Sequence, residues 1–208
     1  MSEATINLQP LDAQTVLVPI VGTSPLIVHA WSEKARRAML DNQQGRKNVK
    51  TIRDPQADYE AAFYRIAPGA AESEYGFPVI AFKAATIGAA RFFGKAVTMT
   101  ALRQCVFMRG VRTDACDQQL VPIIGEPKMR EDAVTVGMGG HDLRYRPEFT
   151  EWSATLRVTY VQSMLSLESV LSLIDGGGMG VGVGEWRPEK RGENGTFAVD
   201  IDRGIEVV

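Results

Sequence analysis

From Trp152 to Tyr160 the chain alternates without interruption. Trp152, Ala154, Leu156, Val158 and Tyr160 fall on one side, and Thr155, Arg157 and Thr159 on the other. A period of two is the signature of a half-buried strand, so the run 152–161 is a strand. A second strand is written in Gln14–Gly22, where β-branched residues dominate and Gly22 with Pro25 closes the run. Pro19 lacks an N–H donor, which points to an edge position or a bulge.

Helices are expected over about Ser32–Gln44, capped by Ser32 and stopped by Gly45, and from the Asp54-Pro55 start through Tyr59, Ala62, Phe63 and Ile66 at helical spacing. Gly76–Ala81 reads as a short strand, followed by a helix over about Phe82–Lys95. A helix running into a strand near Val106–Val111 fits residues 98–113. Strands are expected at Leu120–Ile124, Val134–Gly137, Leu143–Tyr145 and Phe197–Ile201, and a short helix at Ser166–Ile174.

Two strand–helix–strand units thus flank an inserted strand-rich region. That order suits an α+β domain: a ferredoxin-like or RNA-recognition-like antiparallel sheet, helices on one face, and an inserted β-finger. With 208 residues and 45% apolar content, one domain with a full core is expected over 1–208, with insertions at about 43–53 (a basic loop) and 112–150 (β-rich). No run reaches the ~18 apolar residues of a membrane span, and Met1–Thr5 does not begin a signal peptide. Cys105 and Cys116 are expected to be reduced thiols in a cytoplasmic protein.

Net charge is −2, which by itself argues against coating nucleic acid by bulk charge. Distribution matters more. Lys34, Arg36, Arg37, Arg46, Lys47, Lys50 and Arg53 face only Glu33 and Asp41 within that stretch, while Asp200, Asp202 and Glu206 lie in the tail. A locally positive face is expected, with Arg46, Lys47, Lys50 and Arg53 available to phosphates.

The segment Gly176–Gly195 is dense in glycine but has neither G-x-G-x-x-G spacing nor the Lys-Ser/Thr ending of a P-loop. It suits close approach of backbone amides to a phosphate, or of two chains to each other; its plain alternative is a helix stop with a loose hairpin. Trp186, Arg187, Lys190 and Arg191 put an aromatic among cations, a combination suited to a single strand. Lys83, Arg91 and Lys95 fall in one broad helical sector. Arg144 and Arg146 share a strand face on the expected β-finger. The solvated-surface or salt-bridged alternative stands beside each of these.

Catalytic readings are sparse. His29, after the first strand, is the candidate general base for RNA cleavage. Asp200-x-Asp202 would place two carboxylates on one strand face, a pattern more common as solvated surface. No catalytic residue, metal ligand or cofactor is assigned.

Thr23-Ser24-Pro25-Leu26 after the first strand, Phe77-Pro78-Val79-Ile80-Ala81-Phe82-Lys83-Ala84-Ala85 leading into a helix, and the late glycine-rich segment resemble the CRISPR-associated RAMP-superfamily backbone proteins. Here Ala81-Phe82 stands for the usual Ser pair and Ala84-Ala85 for Gly-Ala. The blocks at 24–29, 125–132 and 181–189 resemble a family of uncharacterised bacteriophage proteins, which implies a phage origin and carries no activity. The first resemblance implies binding of single-stranded RNA by side-by-side copies, with Lys83 and Arg91 on the main helix and the inserted loops' cations as contacts. The expectation is a non-enzymatic binder of single-stranded DNA or RNA, a homo-oligomer without membrane attachment, serving phage replication or recombination. A metal-independent endoribonuclease using His29, and a module inhibiting a host defence complex, are the alternatives.

Overall fold

The computed structural model describes residues 10–31, 33–46, 52–113, 116–136 and 140–208. Along the chain run β1 (Ala13–Gly22), β2 (Leu26–Ile27), α1 (Glu33–Gln43), α2 (Pro55–Glu60), β3 (Tyr64–Arg65), β4 (Tyr75–Pro78), α3 (Val79–Gly88), α4 (Met99–Cys105) and β5 (Val106–Arg109). Then follow β6 (Val111–Thr113), β7 (Cys116–Pro122), β8 (Pro127–Val136), β9 (Gly140–Phe149), β10 (Ser153–Val161), α5 (Leu167–Gly180), β11 (Phe197–Val199) and β12 (Glu206–Val207). Turns of 3-10 helix occupy Ala89–Phe92, Pro188–Lys190 and Ile201–Arg203.

The main sheet has the order β11-β1-β10-β5, with β12 also on β1, and its pairs are antiparallel. In chain order its main-path strands are first, second, third and fourth as β1, β5, β10 and β11, so the spatial order is 4-1-3-2. With α3 between the first two and α5 between the last two, this is the ferredoxin-like α+β arrangement the sequence implies. The alternation in β10 holds: Trp152, Ala154, Leu156, Val158 and Tyr160 are buried with Val16, Val18 and Ile20 of β1 in one hydrophobic cluster that includes Phe82, Ala85, Val170 and Ile174 from α3 and α5. The other face of the sheet carries Leu17, Thr155, Arg157, Thr159, Phe107 and Arg109.

Pro19 is in an interior strand, not at an edge. β12 pairs Val16 and Leu17, and β11 pairs Ile20 to Gly22, so Pro19 faces the break between them. Its carbonyl accepts from Asp200 N on that side. A strand residue's N and O point the same way, so the missing donor removes no ladder bond.

Three expectations need correction. The second helix ends at Glu60: Asp54 caps it by accepting from Gln56 N and Ala57 N, but Tyr64–Arg65 pairs with Tyr75–Gly76 as a hairpin instead of continuing the helix. Of the short strands expected in the insert, Leu120–Ile124 overlaps the end of β7 in a sheet of order β3-β4-β7-β6, while Val134–Gly137 and Leu143–Tyr145 fall on one long hairpin, β8 with β9, ten residues each, beside β2 in a second sheet. Helix α5 does not stop at Ile174 but runs through Gly176-Gly177-Gly178 to Gly180.

The reason for the last is close packing. A Cβ on Gly177 would lie 2.5 Å from Ala85 O of α3, and one on Gly178 would run into Phe197 O of β11. Each glycine loses helix propensity, by about 1 kcal/mol relative to alanine, and gains a backbone-to-backbone seat that no other residue fits. This half of the glycine-rich segment therefore joins two parts of one chain.

A candidate nucleic-acid interface around His29

The second half of the segment, from Val181 to Gly195, is an ordered loop stitched to the turn after β1. Glu185 N donates to Ile27 O, Gly195 N to Pro25 O, Val183 N to Gly195 O and Asn194 N to Trp186 O. Gly184 is forced by this seam: its φ is +80° and a Cβ would sit 2.6 Å from Ile27 O. The loop leaves Trp186 45% exposed with φ 57°, a conformation costly for a bulky side chain. Arg191 also has a positive φ, 65°. Such strain persists only where the surroundings over-determine it.

Because this seam sits on β2, His29, two residues past Ile27, faces the loop. His29 Nδ1 lies 3.5 Å from Glu185 Oε1. The imidazole holds the Glu185 carboxyl below its ordinary value, with burial opposing it and Arg146 assisting. His29 also lines two clefts. One, of about 280 Å³, is walled by Ala30, Trp31, Arg53, Asp58, Arg144 and Tyr145. The other, of about 190 Å³, is walled by Tyr64, Phe77, Gly182, Gly184, Glu185 and Arg187. Trp31 is 60% exposed beside the first, and Trp186 lies between two residues of the second.

The structure thus gathers Arg53, Arg144 and Arg187 around one histidine, with the exposed Trp186 between Glu185 and Arg187 in the chain. Arg91 joins them at one remove, 3.7 Å from Glu189, which also holds Arg187 at 3.0 Å. Lys190 and Arg191 are exposed on the same 3-10 turn and its cap. Lys83 is elsewhere, 5.0 Å above the Phe107 ring on β5. Arg46 follows α1, 3.7 Å from Asp41. Lys47 and Lys50 lie outside the described residues.

The expected positive face is largely compensated. Arg53 binds Asp58 at 2.7 Å and also Asp142, and Arg144 lies 3.7 Å from Asp142. Arg146 is not on the surface at all: it is 2% exposed, 3.3 Å from Asp132, with Nε lacking a partner. Burial pulls its guanidinium below the ordinary value. The two-residue period does place Arg144 and Arg146 on one face of β9, but that face turns inward toward Glu185 as it nears Phe149.

Sequence reasoning missed Trp31 and the acids Asp58 and Asp142. Trp31 had a signal, an aromatic in the turn directly after His29. The acids had none, because Asp142 meets Arg53 across 89 positions.

Among the described residues no cluster of three or more His, Cys, Asp or Glu is placed to hold a metal ion, and no helix is long and apolar enough to cross a membrane. No family model matches the chain. No curated protein matches it. Among solved structures, the crystal structure of Cmr6 from Pyrococcus furiosus is similar at 10% identity and a TM-score of 0.42, over 91% of this chain and 100% of that one.

Proposed function

We propose that the protein binds single-stranded nucleic acid across the His29 clefts and does not cleave it. The observation that carries this reading is the pair of exposed tryptophans, Trp31 and Trp186, beside clefts walled by Arg53, Arg144 and Arg187. Base stacking on an exposed ring is worth about 1–3 kcal/mol and tolerates any sequence. The arginines' present partners compete with a phosphate: the pair of Arg144 is long, at 3.7 Å, but Arg187 holds Glu189 at 3.0 Å and Arg53 holds Asp58 at 2.7 Å and Asp142 as well, and part-exposed pairs of this kind contribute about 0–1 kcal/mol each. A phosphate replaces such a carboxylate at little loss and accepts the guanidinium fork in two bonds.

Assembly of several copies along the strand, and a setting in phage replication or recombination, belong to the same proposal. Assembly rests on the resemblance to the RAMP backbone proteins carried by residues 23–26, 77–85 and the glycine-rich segment, and the phage setting on the blocks at 24–29, 125–132 and 181–189.

Intrinsic fluorescence tests the site. Trp152 is buried, so quenching by an added oligonucleotide reports Trp31 and Trp186. Oligo-dT or oligo-U is expected to quench the wild type, with the amplitude halved or more in Trp186→Phe. Unchanged fluorescence at concentrations that shift the protein on a gel would refute the site.

A second reading is favoured by one contact. His29 beside Glu185, with Arg144 and Arg187 in reach of the same clefts, is a base with a carboxylate orienter and cations for a phosphorane. It predicts cleavage of RNA but not DNA in the presence of a chelator, abolished by His29→Ala.

A further inference from the structure

The outer face of the main sheet carries a second feature that the His29 clefts do not use. Arg109 of β5 and Arg157 of β10 are directly opposite in register. Both are exposed, and among the described residues neither has a hydrogen-bond or ion-pair partner. Like charges directly opposite on a sheet destabilise it, since their Cβ atoms stand about 5 Å apart.

The same chain shows how it treats such a pair when it only has to fold. Arg130 and Arg146 are also directly opposite, on β8 and β9. There Asp132 lies 2.8 Å from Arg130 and 3.3 Å from Arg146, and Glu148 lies 2.7 Å from Arg130. Every element of compensation present in the hairpin is missing on the sheet.

Among the described residues, what surrounds the uncompensated pair is not acidic either. The next position along the face pairs Phe107 with Thr159, and Phe107 is 43% exposed with Lys83 Nζ 5.0 Å from its ring centroid. Thr159 is joined to Thr15 by a 2.8 Å hydroxyl bond. Two carboxylates, Glu206 and Glu72, line a groove with Leu17, Pro19, Thr155 and Arg203. Glu206 pairs with Leu17 and is therefore two strands from Arg157, roughly 10 Å away at ~4.8 Å per strand. That is a backbone spacing, and among the described residues no ion pair joins Glu206 to either arginine.

We propose that Arg109 and Arg157 form a phosphate clamp for single-stranded nucleic acid on the open face of the sheet, with Phe107 as the neighbouring stacking surface and Lys83 as a flanking cation. Two guanidinium forks side by side match the oxygens of one phosphodiester, and an anion between them turns their repulsion into attraction. The proposal rests on the nucleic-acid reading above for the identity of the polyanion, and uses none of its residues.

The test separates the two sites. A labelled oligo-dT is titrated into the full chain across a salt series, with anisotropy reporting total binding and tryptophan quenching reporting the clefts. The double variant Arg109→Gln/Arg157→Gln is expected to weaken binding and flatten the log–log salt slope by about 0.7, the loss of one phosphate contact on a single strand. Its quenching amplitude at saturation is expected to stay that of the wild type. Arg109→Lys/Arg157→Lys keeps the slope. The thermal midpoint of the Gln variant at low salt is expected to stay or rise, because a repulsion has been removed.

Wild-type slope and affinity in the Gln variant would overturn the clamp and leave the clefts standing. Binding without quenching, lost in the Gln variant, would support the clamp and overturn the clefts. A lowered thermal midpoint would show that the pair serves the fold and would overturn the clamp. No binding of the wild type at low salt would overturn both.

Discussion

Arg146 and Asp132 meet at 3.3 Å inside the β8–β9 hairpin, and this contact fixes what that hairpin is for. The arginine is buried, its Nε has no partner, and the aspartate also holds Arg130. Its role is structural: it anchors the strand whose next outward residue, Arg144, walls the cleft beside His29.

Removing Asp132 leaves a buried guanidinium without its partner. Asp132→Ala is expected to lose about 3–5 kcal/mol, whereas Arg146→Met, which removes the charge and keeps the volume, is expected to be close to neutral. Urea denaturation of the two variants checks this, and equal losses would show the pair to be ordinary packing.

The glycine run in α5 gives opposite signs at adjacent positions. A Cβ on Gly176 would meet only ordinary contacts, the nearest 3.6 Å away at Phe93, while one on Gly177 would press on the Ala85 peptide. Gly176→Ala is expected to stabilise by about 0.5–1 kcal/mol and Gly177→Ala to destabilise by about 1–3 kcal/mol. Thermal melts of the two variants decide it.

How much of this was legible in the sequence follows from where its signals were local. The alternation in β10 and the β-branched run in β1 report burial through neighbouring residues, so the sheet could be read directly. The hairpin could not: Lys128, Arg130, Glu131 and Asp132 look like loop, because their partners Glu148 and Arg146 lie on the other strand. Gly176-Gly177-Gly178 looks like a helix stop, and only the approach of Ala85 and Phe197 makes it helical. For the site, the arginines and Trp186 were visible by type, but not that Arg146 is buried or that Asp58 and Asp142 hold Arg53. Arg157 was visible as an outward residue; its opposition to Arg109 depends on a register that no local pattern states.

Acid sensitivity is built into the His29–Glu185 contact. Glu185 is held below its ordinary value of 4.5, so what it contributes to stability is present above that value and is lost as the pH falls through its lower folded value. Wild type is expected to lose stability on acidification more steeply than Glu185→Gln over that interval. Parallel pH dependences of the denaturation midpoint would contradict the assignment.

Trp186 is strained in the free protein, with a φ of 57°. Trp186→Gly relieves that strain and loosens the unfolded chain, two effects of about 1 kcal/mol each that oppose one another. Its folding midpoint is expected to match the wild type within about 1 kcal/mol while oligonucleotide affinity falls at least fivefold, about 1 kcal/mol of lost stacking. A stability loss as large as the binding loss would mean that the ring is there for packing.

The central claim is tested most directly by fluorescence anisotropy of the full chain with labelled single-stranded DNA and RNA across a salt series. Binding at low salt with a clearly negative log–log slope, weakened at fixed salt by Arg53→Gln/Arg187→Gln, is the predicted result. No affinity for either polymer at the lowest salt, or an affinity indifferent to salt and to those substitutions, would contradict it.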